Sequence, residues 1–159
     1  MTPTTDERLA SVIRSLTEVV LPHLPADASL AQEQVQLAIG HLQILRLQFD
    51  AIPGFEADEL ADARELGKEL AFAIAGGTKT SAALRSLDAV LADAGIPVRP
   101  ALTAINRAVE GVVQAVSADG DEQSKFRLSE IILRGESARV EKDRRWFLPY
   151  GFDTMEAAG

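Results

Sequence analysis

A chain of 159 residues carrying a formal charge of −8 fits one domain with a self-sufficient core. Its acidity argues against nucleic acid, which is bound through clustered Lys and Arg. With no cysteine, disulfides, thiolate metal sites and cysteine nucleophiles are excluded together. No apolar run reaches the 18 or so residues of a membrane span, and the opening MTPTTDERLASVIRSL has charges where a signal peptide needs an apolar stretch. A cytoplasmic location without membrane attachment is therefore expected.

The charge is uneven. Residues 121–159 hold seven basic and eight acidic side chains, which leaves −7 on the first 120. The last helix is thus the mixed-charge element, and what it docks on is acidic. Half of the eight aromatics, Trp146, Phe147, Tyr150 and Phe152, fall within seven residues.

Taken in order, Thr4 with Glu7 makes a capping box for a first helix running to about Leu21, with Leu9, Val12, Ile13, Leu16, Val19 and Val20 at helical spacing. Pro22 and Pro25 end it, and His23 between them suits a C-terminal cap. The long apolar stretch Leu30–Phe49 follows, with Ser29 and Gln32 as its start signal; its broad apolar arc makes it the expected central helix. Asp50–Phe55 reads as a Pro-Gly turn. A third helix spans about Glu56–Ala75, and Gly76-Gly77 ends it. A fourth is capped by Thr78 or Thr80 and closes at Gly95, where positive φ is expected. Residues 96–100 form a stiff linker, a fifth helix starts at Pro100, and a sixth runs from about Glu122 to Arg145 or Phe147. No segment alternates with period two for long enough to make a strand. The expected fold is all-α: a single-domain antiparallel bundle of about six helices over 1–147, with an irregular aromatic tail over 148–159. Two helical units joined at Pro97–Pro100 are the other arrangement.

Few residues suggest chemistry. Gln34, His41 and Gln48, seven apart, share one line of the central helix; they read as the partly solvated edge of its apolar arc, as a polar network setting helix register, or as the lining of a small-molecule site. The stripe Asp58, Asp62, Glu65, Glu69 permits a bridging cation. Helical di-metal sites add Glu-x-x-His pairs, which neither His here supplies, so a solvated acidic face balanced by Arg64 and Lys68 is preferred and no metal or cofactor is expected. The segment 75–80, AGGTKT, lacks phosphate-loop spacing. Past Pro149 the C-terminal run cannot stay helical. Arg145, Trp146, Phe147, Tyr150 and Phe152 must therefore pack back on their own helices or anchor a second copy or another protein.

Over residues 8–49, the LPHLP turn and the long apolar helix after it resemble an uncharacterised family of bacterial helical proteins encoded near aminoglycoside-phosphotransferase-like kinases and acyl-CoA dehydrogenases. The resemblance implies an accessory role in such a pathway and assigns no functional residue. The expected function is a non-enzymatic accessory or interaction protein that forms a homo-oligomer, a dimer in the simplest case, or binds a protein partner. The alternative is a small-molecule-binding protein with its site at Gln34, His41 and Gln48.

Overall fold

The computed structural model describes residues 2–148. It is all-α, about 85% helical, and has six α-helices and no strand among those residues. They are α1 (Thr5–Arg14), α2 (Ser29–Gln48), α3 (Ile52–Ala73), α4 (Thr78–Ala92), α5 (Val98–Asp119) and α6 (Glu122–Phe147). The contacts divide the chain into two compact units, Met1–Pro53 and Gly54–Gly159. The division falls at Pro53-Gly54 and not at Pro97–Pro100, where α5 already starts at Val98 and Pro100 fits its first turn. Tyr150 and Phe152 lie outside the described residues.

The first unit is a helical hairpin. The capping box forms as expected: Glu7 N donates to Thr4 Oγ1 at 3.2 Å, and Thr4 N donates to the Glu7 carboxylate at 2.7 Å. After Arg14 the helix widens into a π turn over Ser15–Val20 and then tightens into a 3-10 turn over Leu21–His23. His23 Nδ1 donates to the Val19 carbonyl at 2.7 Å, the expected C-terminal cap. The Ser29 cap does not form. Ser29 is already helical, and Gln32 Nε2 instead reaches back to the Pro25 carbonyl at 2.8 Å. Arg46 clamps Asp6 through two hydrogen bonds of 2.5 and 3.0 Å, tying α2 to α1. Among the described residues of this unit Gln48 is the one buried side chain, so no apolar side chain is fully withdrawn from water.

At the division between the units Pro53 and Gly54 lie inside the first turn of α3, where proline needs no amide partner, and not in the expected type II turn. The core gathers Leu70, Ile74, Leu87, Val112, Val116, Leu128 and Ile131, continued by Leu60, Ala101 and Ile105. This overrides the mild helix aversion of the β-branched residues in α5. Helix α6 runs antiparallel along α3: Ser124 Oγ accepts from Ala75 N at 3.0 Å, Gly135 lets Leu66 approach, and Phe55 stacks on Trp146.

The expected hydroxyl cap of α4 is replaced by a carboxylate from elsewhere in the chain. Asp119 accepts from Lys79 N at 2.7 Å, Thr80 N at 2.9 Å and Thr80 Oγ1 at 2.6 Å. These bonds, led by the Thr80 hydroxyl, hold its pKa below the usual carboxylate value. Asp121, the N-cap of α6, is lowered in the same direction by its bonds to Ser124. Gly76 and Gly120 pair as an isolated bridge beside this carboxylate, and a Cβ on Gly120 would stand 2.6 Å from the Val116 carbonyl oxygen. At the other end of α4, Gly95 does not have positive φ; Asp93 Oδ1 accepts its amide at 3.1 Å in a short side-chain turn.

Leu70 is wholly buried, and Leu70→Ala should cost about 2–5 kcal/mol in urea unfolding. Because the folded pKa values of Asp119 and Asp121 lie below the unfolded ones, their contribution is fully present above about pH 4 and fades as pH falls through the lower folded values. Asp119→Asn should lower the thermal midpoint at pH 7 and shrink the gap between the pH 7 and pH 3 midpoints; an unchanged gap would count against this assignment.

Candidate functional site

The three polar residues of α2 do not share one environment. Gln34 and His41 are exposed, whereas Gln48 retains 8% of its surface. They alternate along the helix with Leu30 and Leu37, both exposed, and Ile44, partly buried, as a stripe of apolar and uncharged polar side chains. A small-molecule site needs polar groups converging in a concavity. This line points largely outward at its Gln34 and His41 positions.

The acidic stripe of α3 is engaged differently from the expected balance within its own helix. Lys142 pairs with Asp62 and Arg134 with Glu69, both from α6, while Arg99 of α5 donates to Glu56 at 2.7 Å. Arg64, expected to balance the stripe, has its Nε shielded from water and without a hydrogen-bond partner. Among the described residues no group of three or more His, Asp or Glu is placed to hold a metal ion. The amides at the start of α4 are occupied by the Asp119 carboxylate, an anion supplied by the chain itself.

The aromatic end of α6 splits. Trp146 turns inward, its ring 4.3 Å from that of Phe55 with the planes 27° apart, and is partly buried. Phe147 keeps 41% of its surface. Arg145 Nε donates to the Glu141 carbonyl at 3.1 Å.

One outward apolar line of the second unit is, Phe147 apart, one that composition did not single out. Phe126, Leu133, Val140 and Phe147 are spaced by seven along α6 and are exposed by 65%, 67%, 50% and 41%. Between them, at helical spacing, stand exposed Glu130, Ser137 and Arg144. All seven lie within an arc of about 100° and along roughly 32 Å of helix. The seven-residue interval is the signal that could have found this face: one apolar side chain per heptad on the side away from the core.

A comparison with protein-family models, curated proteins and solved structures finds no match to this chain. No described helix is long and apolar enough to cross a membrane.

The stacking assigns Trp146 to its own bundle. Trp146→Ala should cost about 2 kcal/mol of stability, roughly half the loss for a fully buried Trp, while leaving the mass in light scattering unchanged. A change in mass with unaltered stability would move Trp146 to an intermolecular role.

Proposed function

We propose that this chain is a non-enzymatic helical interaction protein that self-associates through the outer face of α6, acting in the cytoplasm in the accessory capacity implied by its resemblance over residues 8–49. The observation that carries this reading is the exposed line Phe126, Leu133, Val140 and Phe147. Large apolar side chains scattered singly on a surface need no explanation, but four in register along one helix form the half-seam of a helical pair. The hairpin of α1 and α2 gives further support. It keeps Leu30, Leu37 and Leu47 half or more exposed and, among its described residues, buries no apolar side chain completely.

Replacing Leu133 and Val140 together by Ser removes the middle of the line without touching the core. The double variant should keep its helical circular dichroism and run as a monomer in sedimentation at concentrations where the parent chain is a dimer. A parent chain that is monomeric up to several hundred micromolar would overturn the reading.

A further inference from the structure

We infer that two copies of this chain pair through α6 in an antiparallel arrangement, with the two-fold axis beside Ser137. This rests on the self-association reading above and goes beyond it by fixing the partner, the orientation and the register.

Read along the exposed face, the order is Phe126, Glu130, Leu133, Ser137, Val140, Arg144, Phe147. About its centre this order is palindromic in size and antisymmetric in charge. A two-fold axis at Ser137 brings Phe126 opposite the partner copy's Phe147 and Leu133 opposite its Val140. Glu130 then faces the partner copy's Arg144, and symmetry makes that ion pair twice. Ser137, the one small neutral residue of the face, meets its own copy where the helices cross and room is least. A two-fold interface presents the same patch from both sides, so a face used in this way must complement itself. In the parallel arrangement Glu130 meets Glu130 and Arg144 meets Arg144, which places like charges in contact at both ends.

The charges already have company within the helix. Arg144 lies 3.5 Å from Glu141, and Glu130 acts on Arg134. Arg144 has further company of its own, and with five donors its guanidinium can take up a carboxylate across the seam without giving up those it already holds. The ion pairs accordingly set orientation and register, while the four apolar side chains supply the attraction.

The chain contains no cysteine, so a single introduced thiol reports its own neighbour without interference. Oxidised under mild conditions, Ser137→Cys should give a covalent dimer in high yield. Glu130→Cys alone should give little, because its counterpart sits about 21 Å away along the pair, whereas an equal mixture of Glu130→Cys and Arg144→Cys chains should cross-link. Glu130→Arg and Arg144→Glu should each weaken the dimer about tenfold in sedimentation equilibrium, since each change alters two contacts; the double exchange should restore it. If Glu130→Cys cross-links to itself, the pair is parallel and this inference falls while self-association stands. A dimer in which Ser137→Cys fails to cross-link uses another surface, which overturns this inference and the assignment to α6. A parent chain that stays monomeric overturns both readings together.

Discussion

What this molecule can offer to a partner is decided by how α6 sits on α3. The helix turns Ser124, Leu128 and Ile131 fully inward, seats Gly135 against Leu66, and ends by laying Trp146 on Phe55. Burial of Leu128 and Ile131 is the dominant attraction, at roughly 1.5–3 kcal/mol for each large side chain taken from water. The pairs Lys142 with Asp62 and Arg134 with Glu69 are exposed and worth at most about 1 kcal/mol each. The buried side chains set the rotation of α6 about its axis, and these pairs agree with it. Once that rotation is fixed, the line from Phe126 to Phe147 has no course but outward.

A second constraint acts at the end of the bundle where the α3–α4 and α5–α6 connections meet. The first amides of a helix have no partners within it, and here they are satisfied by a carboxylate 40 residues later in the chain. That arrangement demands close backbone approach. A Cβ on Gly77 would fall 2.6 Å from Asp119 Oδ2, and one on Gly76 2.7 Å from Thr80. Glycine is needed at both positions for want of space and not for an unusual φ. The same geometry closes the question of a phosphate at this glycine-rich turn: the anion position is filled by the Asp119 carboxylate, whose charged form the Thr80 and Lys79 bonds favour.

The helices and most of their ends were legible because the apolar positions recur at the helical period and because Thr4 with Glu7 marks the first start by local chemistry. The docking of a mixed-charge helix on an acidic one was legible from the charge imbalance alone. Its partners were not: Arg64 and Lys68 were nearer in sequence to the acidic stripe than Arg134 and Lys142, and only tertiary packing brings the latter across. The same reason hid the cap of α4, whose acceptor lies far along the chain, and the shift of Pro53-Gly54 into α3. The outward line of α6 was obscured because it supplies only one apolar residue per seven, beside an aromatic cluster at the end of the chain. Within that cluster Trp146 is divided from Phe147 by a single helical step of about 100°.

The magnitudes also bear on what kind of association this face supports. Full burial of a large apolar side chain is worth about 1.5–3 kcal/mol, and the four on α6 have roughly half their surface still to lose. Eight such side chains in a pair therefore supply on the order of 8 kcal/mol. Association costs an estimated 4–15 kcal/mol in lost freedom before any contact is counted. The two figures are of the same order, so the pairing proposed above would be reversible and concentration-dependent; the second unit's core is complete without a partner. In a pairing so finely poised, two ion pairs that are individually weak are enough to select one orientation over the other. In the proposed pair Glu130, Ser137 and Arg144, and not the more conspicuous aromatics, would carry the specificity of this surface.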